Sequence, residues 1–206
     1  MLPAERRVQH SPPRKCPNSG TGAGNTGACT CAILGTRAGG HGGNRDLSRH
    51  PNGQCTPCPE GDIHYHIYVP DGYNGSKAYA LFLTLPGYEG LYFQGMGRSL
   101  YSENFAFEAL NYNDHMIVVA PQLSDWGETS AEQTIALTEY LLGRYNIDQE
   151  RVYAEGYSGG GETMSQVMGM RPDLFTAYLQ CSSQWDGAYE PVVEARVPVY
   201  FVIGES

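Results

Sequence analysis

The stretch that most constrains the fold of this chain is the glycine-rich turn Gly156-Tyr157-Ser158-Gly159-Gly160. A β-rich run, 151–155, precedes it, and a run with helical composition, 161–168, follows it. Glycines two residues either side of a serine let a strand turn sharply into a helix, because bulkier side chains would clash there. Ser158 is therefore a candidate nucleophile, presented at a helix N-terminus whose N–H groups can stabilise an oxyanion. The alternative interpretation is a glycine-rich turn with an idle serine.

The composition changes abruptly near position 60. All Phe, Trp and Tyr residues follow that point, whereas five of the six cysteines precede it. Residues 1–60 contain seven Lys and Arg residues and three Asp and Glu residues, a net charge of +4. The remaining residues contain six Lys and Arg and nineteen Asp and Glu, a net charge of −13. The acidic part argues against a nucleic-acid partner, because phosphate contacts need a basic surface.

The first segment is rich in Gly and Pro and has almost no periodic apolar pattern. It cannot bury enough surface to offset its ordering entropy, so residues 1–61 are predicted to be disordered or a non-native low-complexity segment. Its paired cysteines admit either a zinc site or unpaired thiols, and the spacing favours thiols, hence no metal. These pairs are Cys29-x-Cys31 and Cys55-x-x-Cys58.

No run of residues approaches the roughly 20 apolar positions that a membrane-spanning helix needs. Near the N-terminus, Arg6 and Arg7 are not followed by an apolar stretch, so no signal peptide is predicted in this chain.

Residues 62–206 alternate between strand and helix patterns. We predict strands at 63–69, 79–85, 116–120, 151–155, 174–180 and 197–203, and helices at 99–112, from the capping box at Ser130 to Tyr145, and after Ser158. Apolar strands that alternate with helices indicate parallel strands joined by right-handed crossovers. The predicted fold class is therefore α/β, with helices on both faces of a mostly parallel sheet.

Two histidines, His64 and His66, share one face of the first of these strands. They could be two metal ligands, but without a third ligand nearby a solvated face of an edge strand is the favoured interpretation. The prediction is again that no metal binds.

Four motifs together resemble the α/β-hydrolase superfamily: Leu85-Pro86-Gly87-Tyr88, Val119-Ala120-Pro121, Gly156 to Gly161, and Pro198 to Gly204. The resemblance covers about residues 62–206 and is greatest to polyhydroxybutyrate depolymerases, feruloyl esterases and prolyl-oligopeptidase-type catalytic domains. It implies a serine hydrolase that needs no cofactor and cleaves a small-molecule or polymer-derived carboxylic ester through an acyl-enzyme.

The resemblance also implies roles for individual residues. Ser158 matches the nucleophile, and the backbone N–H groups of Gly159 and Tyr88 match the oxyanion hole. Trp126 and Trp185 follow sheet strands at the carboxyl edge, where they line an acyl pocket or pack at its rim.

The chain departs from the family pattern after the nucleophile. A triad of this fold runs in the order Ser, acid, His, yet no histidine follows Ser158. The acid is expected one residue beyond Ser206, with Asp186 and Glu205 as possible substitutes. We therefore expect a truncated catalytic domain that lacks its last strand and helix and is nearly inactive. The alternatives are a prolyl-oligopeptidase-type peptidase and a non-catalytic binding or remnant domain.

Overall fold

The structure, a computed structural model, describes residues 54–58, 61–91, 100 and 103–205. The chain divides into two units, 1–30 and 31–206, and every described residue lies in the second. Most of the segment 1–61, including the Cys29-x-Cys31 pair, therefore lies outside the described residues.

One part of that segment forms a strand. Strand β1 (Gln54–Cys58) pairs with strand β2 (Gly61–Tyr68) in antiparallel register, with Thr56 opposite Ile63. The regular structure thus begins earlier than the predicted domain boundary at residue 62. Backbone pairing explains the difference, because a ladder of N–H and C=O groups needs no apolar pattern in the sequence.

In the described part of the chain, seven strands form a single sheet in the order β1-β2-β4-β3-β5-β6-β7. Five of them, from β4 to β7 in this order, are parallel, and β2 runs antiparallel to β4. The other strands are β3 (Tyr79–Leu85), β4 (Met116–Pro121), β5 (Ile147–Tyr157), β6 (Ala177–Cys181) and β7 (Val199–Val202).

Helices cover both faces of this sheet. Helix α1 packs with one apolar cluster, and helices α2, α3 and α4 pack with another on the opposite face. Within β3, Leu81 and Leu83 face the larger cluster and Ala80 faces the smaller one. This two-faced burial explains the continuous apolar runs and confirms the predicted α/β class. The helices are α1 (Phe105–Tyr112), α2 (Glu128–Arg144), α3 (Gly159–Met170) and α4 (Glu190–Ala195).

Two helix starts differ from prediction. Helix α1 begins at Phe105 and not near 99, because Glu103 and Asn104 have positive φ angles of 36° and 62° that break the helical path. The predicted capping box at Ser130 is also wrong. Helix α2 begins at Glu128, and the Ser130 hydroxyl instead accepts the N–H of Asp125 at 2.9 Å.

The region after α3 also differs in detail. A 3₁₀ turn, Pro172–Leu174, occupies the start of the predicted strand 174–180, so β6 begins only at Ala177. Helix α4 was not predicted. None of the helices in the described ranges is long and apolar enough to cross a membrane.

Candidate active site

Ser158 lies at the sharp turn between β5 and α3, as the glycine spacing predicts. Its backbone angles are φ 51° and ψ −125°, a conformation that costs a non-glycine residue about 1–3 kcal/mol. Backbone hydrogen bonds hold it there: its N–H donates to the carbonyl of Cys181 at 3.0 Å, and its own carbonyl accepts the N–H of Gly161 at 2.8 Å. The residue is exposed, so its hydroxyl is accessible from outside the fold.

The glycines around the serine allow backbone to approach backbone. A Cβ at Gly160 would lie 2.0 Å from the carbonyl oxygen of Leu85, at the end of β3. A Cβ at Gly156 would lie 2.7 Å from the Cα of Gly161. Larger residues cannot occupy these positions without moving the strand or the helix, which is the physical reason for the motif.

The close approach at Gly160 brings the loop after β3 against the first turn of α3. This loop contains the short 3₁₀ helix Tyr88–Gly90, which contacts α3. Gly159 is the first residue of α3, so its N–H has no carbonyl one turn earlier to bond with. The structure therefore brings the chain segments of Tyr88 and Gly159 to the same side of the sheet edge as Ser158.

Trp126 covers the first turn of α3. A Cβ at Gly159 would lie 2.5 Å from Cδ2 of the indole, so the ring lies directly on the backbone beside Ser158. The Trp126 carbonyl accepts a hydrogen bond of 3.0 Å from Nε2 of Gln166, which ties the loop before α2 to α3.

Trp185 packs against the last strands of the sheet. Its ring packs at 6.0 Å between centroids with Tyr178 of β6 and with Phe201 of β7. Its indole Nε1 is buried and has no hydrogen-bond partner in the described part of the structure. The structure thus places the two predicted tryptophans in different surroundings, with Trp126 against Gly159, the residue next to the nucleophile.

None of the histidines in the described ranges lies near Ser158. His64 and His66 are on β2, three strand positions from β5, which corresponds to about 14 Å at the usual strand spacing. His115 precedes β4 and therefore lies at the opposite, amino-terminal edge of the parallel strands. Strand β2 lies between β1 and β4, so the predicted edge strand is wrong, and burial lowers the pKa of His66.

No group of three His, Cys, Asp or Glu side chains suited to a metal ion occurs among the residues with described positions.

Asp186, one proposed substitute for the triad acid, is exposed in the loop after β6, where its N–H donates to Oγ of Ser165 at 2.9 Å. Glu162 of α3 is near enough to Asp186 that burial and this neighbouring charge both raise its pKa.

A buried carboxyl group that the sequence did not indicate lies beneath the turn. Glu155 of β5 is 0% exposed, and its Oε2 accepts a 2.6 Å hydrogen bond from the hydroxyl of Thr84 on β3. Burial raises the pKa of Glu155 to about 8, against the effect of the Thr84 bond, and the charge of Glu103 adds to the rise. The sequence offered one indication of this group: a Glu at an inward-facing position of a strand whose pattern is otherwise that of a buried core strand.

The comparisons with known proteins agree with this geometry. The model of the prolyl oligopeptidase family matches residues 122–186, which include Trp126, Ser158 and the helix after it. A comparison with curated proteins gives no match.

Several solved structures share the fold. A thermostable esterase aligns with a TM-score of 0.58 and 23% identity, over 72% of this chain and 45% of that one. A feruloyl esterase module from Clostridium thermocellum, complexed with sinapinate, aligns with a TM-score of 0.57 and 16% identity, over 75% of this chain and 66% of that one. Oligopeptidase B from Leishmania major aligns with a TM-score of 0.53 and 22% identity, over 69% of this chain and 21% of that one.

The chain therefore spans less than half the length of the thermostable esterase and about a fifth of the oligopeptidase. The sheet order and the strained serine between strand and helix give this chain the α/β-hydrolase fold that these structures share, and the prolyl oligopeptidase family model matches it over residues 122–186.

Proposed function

We propose that this chain is a serine hydrolase domain that acts on carboxylic esters through an acyl-enzyme at Ser158. The observation that carries the proposal is the backbone of Ser158, which is held at φ 51° in an exposed turn. A strained conformation persists only where the surrounding structure enforces it, and such residues concentrate at active sites.

The chemistry follows from the groups around the turn. The Ser158 Oγ attacks the ester carbonyl, its proton passes to a base, and the carbonyl oxygen becomes an oxyanion. Backbone N–H groups of Gly159 and Tyr88 stabilise this oxyanion, the alcohol leaves with a proton, and water then hydrolyses the acyl-enzyme.

Two features support an ester as the substrate. Trp126 provides an aromatic surface beside Ser158, suitable for an apolar acyl group. The similar structures include an esterase and a feruloyl esterase module. Trp185 is a second candidate for the acyl pocket, reached from the side of β6 and β7.

The described residues do not provide a general base for Ser158. His64, His66 and His115 all lie too far from the serine, and no histidine follows Ser158 in the sequence. Because loss of a triad base costs on the order of a million-fold in kcat, we expect this chain to turn over esters only slowly.

A peptidase of the prolyl-oligopeptidase type is the second candidate function, favoured by the family match over residues 122–186. A non-catalytic binding domain that uses the surface above Ser158 is the third. The first two use the same nucleophile and differ in the leaving group, an alcohol or an amine.

A fluorophosphonate probe tests the proposal, because it forms a covalent bond with an activated serine. We expect slow labelling of the chain that is abolished in Ser158→Ala and accelerated by added imidazole, which replaces a missing base. Labelling that persists in Ser158→Ala would remove Ser158 from the mechanism, and no labelling with or without imidazole would favour the binding domain. Rates on a p-nitrophenyl ester and on a proline-containing amide then separate esterase from peptidase.

A further inference from the structure

The hydrogen bond between Thr84 and Glu155 joins the two strands that lead into the proposed oxyanion hole. Thr84 of β3 and Glu155 of β5 are direct partners in the parallel register, one row before the last pair, Leu85 and Gly156. Beyond that row the two strands separate into different loops. The Thr84–Glu155 bond is therefore the last side-chain connection between β3 and β5 that the described residues provide on this face.

The two oxyanion donors lie at equal distances along the chain from this bond. Tyr88 is four residues after Thr84, and Gly159 is four residues after Glu155. We infer that the Thr84–Glu155 pair is a positioning device that sets the spacing between the N–H groups of Tyr88 and Gly159. The inference rests on the proposed function, because an oxyanion hole is needed only if Ser158 acts as a nucleophile.

The environment of Glu155 shows why a hydroxyl and a carboxyl group suit this role. The side chain is fully buried, and Oε1 has no hydrogen-bond partner within the described residues, so the bond to Thr84 is the one side-chain hydrogen bond that orients it there. Burial disfavours the ionised form of such a carboxyl group and raises its pKa to about 8. At neutral pH the pair is therefore mostly an uncharged connection between the strands.

Three other titratable groups lie near Glu155. Glu103 accepts the N–H of Gly87 at 3.4 Å, in the same loop as Tyr88, and its charge opposes ionisation of Glu155. On β6, burial raises the pKa values of Cys181 and Tyr178, and the negative charge of an ionised Glu155 raises them further. Among the described residues, no cation offsets the charge that Glu155 would carry. Loss of its proton would thus place an unbalanced charge between the two loops and displace them.

The test follows the two donor amides directly by NMR of ¹⁵N-labelled protein between about pH 6 and about pH 9, the range around the folded-state pKa. In the wild type, the amide resonances of Tyr88 and Gly159 should move with a common midpoint of about 8. In Glu155→Gln, which keeps the shape but cannot ionise, that movement should be absent. The amide of Gly143, at the far end of α2, is the reference that should not move.

Variants of the hydroxyl partner separate positioning from simple packing. Thr84→Val keeps the shape and loses the bond, so both donor amides should shift at every pH, whereas Thr84→Ser keeps the hydroxyl and should retain the wild-type positions. If Thr84→Val does not fold, the comparison of wild type with Glu155→Gln decides alone. The inference is wrong if both donor amides titrate in Glu155→Gln as in the wild type, or if neither moves in Thr84→Val.

Labelling of Ser158 by a fluorophosphonate, with imidazole added, gives an independent outcome. Thr84→Val should slow labelling by roughly tenfold to a hundredfold, the range expected when reacting groups are misplaced by up to about 1 Å. If the amides titrate as expected but Ser158 is never labelled, the positioning pair stands and the hydrolase proposal fails. If Ser158 is labelled but the amide resonances of Tyr88 and Gly159 do not depend on Glu155, the hydrolase proposal stands and the positioning pair fails.

Discussion

Ser183 donates a hydrogen bond of 2.6 Å from its hydroxyl to the carbonyl oxygen of Ser158. The residue before it, Ser182, also has a positive φ, of 45°, so the bond joins two chain segments that each contain a strained backbone position. The loop after β6 thereby holds the nucleophile turn from the side opposite to β3.

Ser183→Ala should therefore destabilise the protein by about 1 kcal/mol, the usual net value of one such hydrogen bond. It should also slow labelling of Ser158, because the turn loses one of its restraints. Urea denaturation and probe labelling measure the two effects. Ser183→Thr, which keeps the hydroxyl, is the control, and equal stability of Ser183→Ala and the wild type would show that the bond contributes nothing.

Replacing the nucleophile by glycine should separate stability from function. Ser158→Gly removes the cost of φ 51°, so we expect it to raise the free energy of unfolding by about 1 kcal/mol while abolishing labelling. Ser158→Ala also abolishes labelling but keeps the Cβ, and should show no such gain. Thermal unfolding of the three proteins measures the difference. Equal melting temperatures for the glycine and alanine variants would mean that the turn stores no strain.

Gly160→Ala should prevent normal folding, because its Cβ would lie 2.0 Å from the carbonyl oxygen of Leu85. We expect a loss of several kcal/mol, since neither backbone can move without breaking the sheet or the helix. Gly143→Ala is the matched control: nothing lies within 4 Å of its Cβ, so alanine in α2 should stabilise by about 0.5–1 kcal/mol. Soluble yield and circular dichroism distinguish them, and a well-folded Gly160→Ala protein would contradict the close approach.

The stability of the protein should depend on the proton of Glu155. Its pKa is about 8 in the folded state against 4.5 for an ordinary Glu, so the folded protein binds this proton more tightly. The free energy of unfolding should accordingly fall as the pH rises from about 4.5 to about 8 and then change no further from this cause.

Glu155→Gln removes this contribution, so the wild type should lose stability relative to the variant across that interval, by an amount on the order of a few kcal/mol. Urea denaturation at several pH values measures the difference. A constant difference between the two proteins over the whole interval would place the pKa of Glu155 at its ordinary value.

A polypeptide of these 206 residues should associate with itself through the exposed strand β7. It is at the end of the sheet in the described structure, and the side chain of Tyr200 is 70% exposed and that of Phe201 52% exposed. An open apolar edge can pair with another chain, so we expect light scattering to rise with protein concentration. Tyr200→Lys should suppress the rise without lowering the melting temperature, and Tyr112→Lys on α1, at another exposed tyrosine, should leave it unchanged.

The sequence predicted the site where local rules determine the backbone. Glycine spacing around Ser158 requires a sharp turn whatever the rest of the chain does, and the structure has that turn. The apolar runs that became β3 and β4 were equally clear, because strands buried on both faces need continuous apolar residues.

Features that depend on contacts between distant segments were not predictable in this way. Thr84 and Glu155 are 71 residues apart, and only the parallel register places them opposite each other. Strand β1 was missed because its stability comes from pairing with β2 and not from its own composition. The start of α1 was misplaced because Glu103 and Asn104 adopt positive φ angles that their residue types do not require.

The contacts of the neighbouring glycines Gly159 and Gly160 have different consequences for how this site can change by mutation. Gly160 meets main-chain atoms of Leu85, and no substitution elsewhere can remove a carbonyl group. Gly159 meets the indole of Trp126, a side chain that can be exchanged. A smaller residue at 126 would make room for a side chain at 159, so these two positions can vary together, whereas position 160 has no such compensating partner.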